Sequence, residues 1–153
     1  MGIEIERKFL VQSAPFKSWG AGTQIKQGYL ARGQQATARV RTYGDQAFIT
    51  IKGKTVGISR QEFEYEIPVQ EAEALLLLCE GGIISKQRWK IKQGEHIWEV
   101  DRFEGDNAGL VVAEIELGSE DESFDKPSWI GAEVSDDPRY FNGALSRMPY
   151  KSW

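Results

Sequence analysis

The chain has 153 residues, with 19 Lys and Arg against 23 Asp and Glu, one His and one Cys. That length suits one domain spanning 1–153 with a sizeable core, and 41% apolar with 27% charged residues excludes a disordered chain. A formal charge of −4 argues against a nucleic-acid coat protein, and a lone Cys79 excludes a disulfide framework or a Cys-rich zinc site. The longest apolar run, 74–79, is far short of a membrane span. The start is charged from Glu4 and does not read as a signal peptide, so the expected compartment is the cytoplasm.

Strict alternation of apolar and polar residues predicts eight strands, at 2–10, 24–32, 36–43, 46–54, 59–68, 84–92, 95–103 and 110–118, enough to close a barrel. Turn signals at Gly44-Asp45, Gly57, Gly94 and Gly105-Asp106 separate several of them. A helix is expected over 70–80, acidic at its start and apolar through Leu75–Leu78. A second, over 137–148, opens on Asp-Asp-Pro. The acidic stretch 119–132, with Pro127 and Gly131, reads as a short helix followed by a loop.

Residues i, i+2 and i+4 of a strand share a face. Sorted this way, Glu4, Glu6 and Lys8 lie together, as do Arg39 and Arg41, Lys52 and Lys54, and Arg60, Glu62, Glu64 and Glu66. The same holds for Lys86 and Arg88, Glu99 and Asp101, and Glu114 and Glu116. A solvated sandwich face would mix these charges with Ser, Thr and Gln. Here the face is almost wholly ionic and like charges sit two residues apart, which a strand tolerates best around a bound counter-charge. The pattern therefore predicts an inside-out arrangement: an α+β protein built on an eight-stranded antiparallel β-barrel, its lumen charged and its apolar outer face covered by a few helices. Trp89 and Trp98 fall on that outer face, where helices or a second subunit would cover them, so a homodimer is compatible with the pattern.

Inward Lys8, Arg39, Arg41, Lys52, Lys54, Arg60, Lys86 and Arg88 suit a polyanion with many phosphate oxygens. Inward acids would repel it unless hard divalent ions lie between. Glu4/Glu6 and Glu114/Glu116 each place two carboxylates about 7 Å apart along a strand, apt for Mg²⁺ or Mn²⁺ completed by water and substrate oxygens. Gly53-Lys54-Thr55 is not a phosphate-binding loop, because Phe48 stands where the first glycine is required. His96 reads as a surface residue and Cys79 as core.

Ile3-Glu4-Ile5-Glu6-Arg7-Lys8 resembles the ExExK signature of the CYTH superfamily, the triphosphate tunnel metalloenzymes. Gln27-Gly28-Tyr29-Leu30, Arg39-x-Arg41, Thr50-Ile51-Lys52-Gly53 and Ser59-Arg60-x-Glu62-x-Glu64 follow in family order. Lys86-x-Arg88, Val100-Asp101-x-Phe103, Glu114-x-Glu116 and Arg139-Tyr140-x-Asn142 complete it. The resemblance spans essentially the whole chain. It implies Glu4, Glu6, Glu114 and Glu116 as ligands of Mg²⁺ or Mn²⁺, and Lys8, Arg39, Arg41, Lys52, Arg60, Lys86 and Arg88 as the phosphate clamp. Glu62, Glu64 and Asp101 become supporting acids, and Tyr29 with Lys52 or Lys86 candidates for proton transfer. The implied reaction is hydrolysis of a small triphosphate, foremost inorganic tripolyphosphate. A class IV-type adenylate cyclase, a thiamine triphosphatase and a non-catalytic polyphosphate- or nucleotide-binding module are the alternatives.

Overall fold

Nine antiparallel strands appear in the computed structural model, which describes residues 2–153. They are β1 (Gly2–Val11), β2 (Thr23–Arg32), β3 (Ala36–Tyr43), β4 (Gln46–Gly53), β5 (Ser59–Ile67), β6 (Glu80–Gln93), β7 (His96–Phe103), β8 (Val111–Glu116) and β9 (Ile130–Glu133). The first eight close on themselves in the order β1-β5-β4-β3-β2-β6-β7-β8-β1. Closure depends on β1, whose start pairs with β5 (Glu4 opposite Arg60) while Glu6–Leu10 pair with β8 (Glu6 opposite Glu116). Beyond Ser59, where β5 begins, the same β1 edge takes up β9, with Val11 opposite Ile130. Closure at β1 thus leaves few unpaired strand edges among the described residues, the end of β5 beyond Glu62 being one. The tight turns 43–46 and 93–96 place Gly44 (φ 60°) and Gly94 (φ 62°) at the first central position, where an L side chain is strained.

The outer face carries two apolar clusters. Phe9, Trp89, Trp98, Val100, Ala113 and Ile115 are covered by the chain's own Trp129 and Phe124 and by the one-turn helix α1 (Phe16–Trp19). Trp98 is fully buried, edge-on to Phe9 at 5.6 Å and to Trp129 at 5.9 Å. On the other side α2 (Val69–Leu76) lays Ala72, Leu75 and Leu76 over Val40 and Ala47. Gly28 is required beneath the end of that helix, since a Cβ there would stand 2.8 Å from Cys79 Sγ and 2.7 Å from Ile83 Cδ1.

Several expectations need correction. The helix expected over 70–80 ends at Leu76, because β6 begins at Glu80 and reclaims the chain through Gly81 and Gly82, glycines that hide a strand from an alternation test. The helix expected over 137–148 breaks into a 3₁₀ turn at Pro138–Tyr140, capped by the Asp137 carboxylate, and a single turn α3 (Asn142–Leu145). Extended Phe141 (ψ 139°) separates the two. No helix forms within 119–132; Pro127 leads instead into β9. Lys54 lies past the end of β4, exposed and outside the lumen. Cys79 is half-buried at the rim of the α2 cluster rather than in the core, and His96 is no free surface residue, since it pairs with Glu122. Among the described residues no helix is long and apolar enough to cross a membrane.

The C-terminal segment does not cover the outside, as expected, but stops one end of the barrel. Leu10, Ile84, Phe103 and Val112 continue the inner-face rows of β1, β6, β7 and β8, and Leu145 of α3 seats on them with Tyr140 and Tyr150 beside it. The lumen thus has an apolar floor. Trp98→Ala, which empties the centre of the larger outer cluster, should cost about 3–5 kcal/mol in a urea unfolding titration.

Candidate active site

Above that floor lies a cavity of about 390 Å³. Its wall is built from Glu4, Glu6 and Lys8 of β1, Tyr29 of β2, Arg39 and Arg41 of β3, Lys52 of β4 and Arg60 and Glu62 of β5. Arg88 and Glu99, and Glu114 with Glu116, complete it from β6, β7 and β8. Period-2 geometry turns alternate residues of each closed strand inward, so the ionic rows converge because the sheet closes. Lys86 and Asp101 lie deeper on the same inner face, 1% and 3% exposed, between cavity and floor. Glu64 stands behind the arginines rather than on the cavity wall.

Opposite charges interlock in four groups. Asp101 takes Arg88 in a two-pronged contact at 2.7 and 2.8 Å and Lys86 Nζ at 2.7 Å. Lys8 Nζ reaches Glu114 at 2.9 Å. Lys52 and Arg60 converge on Glu4 at 3.1 and 3.4 Å. Glu64 accepts from Thr50 at 2.7 Å and approaches Arg41 at 3.4 Å, while Arg39 donates to the same threonine.

Burial works against every charge here, and its neighbours decide the outcome. Burial alone would raise Asp101, but Arg88 and Lys86 hold it below its ordinary value. Burial outweighs Asp101 at Lys86 and brings that amine down to about 8. Arg41 comes down to about 10, through burial and then the Arg39 and Arg88 charges beside it.

The carboxylates pair across strands rather than along them. Glu6 lies close to Glu114, and Glu4 close to Glu62, near enough for a hydrogen bond when one of each pair is protonated. Burial, then the charges of Glu114 and Glu4, push Glu6 well above the usual carboxylate range. Glu62 rises to about 7 through burial and its bond to Glu4. Glu4 and Glu114 are held low against burial, chiefly by Lys52 and Lys8 respectively. Close carboxylate pairs of this kind could admit a divalent cation beside them.

No group of three or more acidic, His or Cys side chains stands ready to enclose a metal ion among the described residues. Paired carboxylates with room beside them still suit a hard ion such as Mg²⁺, which keeps several waters and uses substrate oxygens.

A CYTH domain model matches residues 2–141. The chain belongs to the CYTH family. It is 49% identical to an inorganic triphosphatase of Acetivibrio thermocellus, over 100% of this chain and 99% of that one. It is 39% identical to an inorganic triphosphatase of Nitrosomonas europaea, over 94% and 96%. A crystal structure of an inorganic triphosphatase superposes on this CYTH chain with a TM-score of 0.67 at 36% identity, covering 93% of this chain and 96% of that one. A putative adenylate cyclase of Bacillus halodurans shares the fold at 22% identity, with a TM-score of 0.60 over 78% and 84% of the two chains.

Alternation could not reveal the rest of this CYTH cavity. Ser135, Pro138, Phe141, Asn142 and Gly143 line it from outside any barrel strand. Asn142 is hydrogen-bonded by Lys86 Nζ at 3.2 Å and so ties the plug to the deepest cation; the Arg139-Tyr140-x-Asn142 motif was its only signal. Glu99 braces Arg88 at 3.3 Å, a contact that alternation places on the right face but does not single out. Asp101→Leu would strand Arg88 and Lys86 without their common acceptor, and should lower unfolding free energy by about 3–5 kcal/mol, read from denaturant midpoints at constant m.

Proposed function

We propose that this protein hydrolyses a terminal phosphoanhydride of a small triphosphate, foremost inorganic tripolyphosphate, giving pyrophosphate and phosphate. The observation that carries this reading is one cavity, closed at its base, in which Lys8, Arg39, Arg41, Lys52, Arg60 and Arg88 face Glu4, Glu6, Glu62, Glu114 and Glu116. The names of the two relatives that match nearly end to end support it. Passive anion binding gains nothing from six acids in the wall. Tyr29 and Phe141 are the aromatic side chains lining the cavity, too few to form a stacking platform for a base, which supports an inorganic substrate.

In this reading the guanidinium groups of Arg39, Arg41 and Arg88 take phosphate oxygens in forked contacts, and Lys8, Lys52 and Lys86 serve as point charges. Anion binding would draw Lys52 and Arg60 from Glu4, and Arg41 from Glu64; all three contacts, at 3.1–3.4 Å, are long enough to give way. Arg88 on Asp101 is far tighter and would keep its orientation. Glu4, Glu6, Glu114 and Glu116 are the residues that would hold Mg²⁺ or Mn²⁺. When bound, such an ion offsets phosphate charge and lowers the pKa of a coordinated water. Glu62, raised to about 7 and opposite Lys52 across the ladder, and Tyr29 on the same cavity wall are the groups assigned to move a proton. Because the floor is sealed, substrate would enter and products leave through one mouth.

A panel of tripolyphosphate, ATP and thiamine triphosphate with Mg²⁺ and Mn²⁺, scored for phosphate, pyrophosphate and cyclic AMP, tests the reading. Phosphate release fastest from tripolyphosphate, abolished by EDTA, is the expected result. Cyclic AMP from ATP would select a cyclase, and tight binding without product a passive module. Glu6→Gln and Glu116→Gln should each cut turnover at least about a hundredfold while leaving circular dichroism and melting behaviour intact. Arg41→Ala should raise KM about tenfold and lower kcat; normal constants would remove Arg41 from the clamp.

A further inference from the structure

Gln27 lies on the lumen wall and the charge network leaves it out. It is fully buried, at 0% exposure, and neither Nε2 nor Oε1 has a hydrogen-bond partner. Among the described residues it is the side chain with both polar ends unmatched. Its direction follows from the ladder. Gln27 pairs with Arg41 of β3 on one side and with Ile84 of β6 on the other, and shares its strand face with Tyr29. Arg41 and Tyr29 line the cavity and Ile84 belongs to the floor, so Gln27 sits at the foot of the wall behind Arg41.

Buried amides without partners are rare because they cost free energy that an apolar residue of similar size would not. The missing partner has an evident source. The Nε of Arg41, directly across the ladder, is also buried and unpartnered, and so is that of Arg39. Arg41 meanwhile spends one Nη on Glu64 at 3.4 Å, a long contact that a phosphate would displace. Once its Nη groups turn to an anion, its Nε–H needs an acceptor on the wall side.

We propose that Gln27 is a positioning residue for Arg41: its carboxamide oxygen accepts from the Arg41 Nε–H when the guanidinium turns from Glu64 to phosphate, and fixes the plane of the fork. A lysine at 41 could not use such a device, because it has one nitrogen and no plane to orient. The role rests on the triphosphate reading above.

A double-mutant cycle separates the two claims. Gln27→Leu removes both unmatched atoms at nearly constant volume, so its melting temperature should equal or exceed that of the unaltered protein. Its KM for tripolyphosphate should rise about tenfold, with kcat within about twofold because the guanidinium is still present. In an Arg41→Ala background the same change should add less than about twofold. An unchanged KM in Gln27→Leu, or an equal rise in both backgrounds, overturns the positioning role while the triphosphate reading stands. An unaltered protein that neither binds nor cleaves tripolyphosphate overturns that reading, and the role with it. Should Gln27→Leu fail to fold, Gln27→Met replaces it and must give the same pattern.

Discussion

Ion pairs inside a closed sheet hold this molecule in a state that neither charge set could sustain alone. Six cations packed around about 390 Å³ would repel one another, and the acids facing them would do the same. Interleaved, they are tolerable, because Asp101 neutralises Lys86 and Arg88, Glu114 neutralises Lys8, and Glu4 takes Lys52 and Arg60. Desolvation makes such pairs weak contributors to stability. Stability has to come from the outer face, where Trp98, Phe9 and Trp129 on one side and α2 on the other bury the apolar rows. The barrel is thus inside-out: its hydrophobic cores lie outside the sheet, and its interior is left for chemistry.

Within the lumen the pairs are graded by depth. The Asp101 group, just above the floor, is short and two-pronged, and Asn142 of the plug is tied into it. Toward the mouth the contacts lengthen, as with Arg60 on Glu4 and Arg41 on Glu64, both at 3.4 Å. Rigid cations below and exchangeable ones above make an anion site that is preformed at its base and yields at its entrance. The close carboxylate pairs Glu6/Glu114 and Glu4/Glu62 stand among these cations on the same wall.

Strand content and facing were legible residue by residue. Eight of the nine strands fall close to where alternation put them, and most of the ionic residues it turned inward line the lumen, Lys54, Glu64 and Glu66 apart. Alternation failed where a local signal was absent. β9 has only four residues after Pro127, and β6 begins in two glycines. The C-terminal helix was overread because Asp-Asp-Pro is a sound start signal, yet Phe141 must leave the helix to face the cavity over Lys8, 5.6 Å from Nζ to ring centre.

The sequence by itself determined which side chains share a face, since a two-residue period is a local property of extended chain and needs no knowledge of partners. It also carried the family motifs in order, and so the kind of site to expect. Which carboxylate meets which was decided only by tertiary structure. Register across closed strands places Glu6 opposite Glu116 and diagonal to Glu114, and Gln27 beside Arg41, and the seating of α3 turns an open tunnel into a floored cavity. Register and closure are relations between residues far apart in the chain, set by the packing of the whole outer shell, and no run of neighbouring residues encodes them.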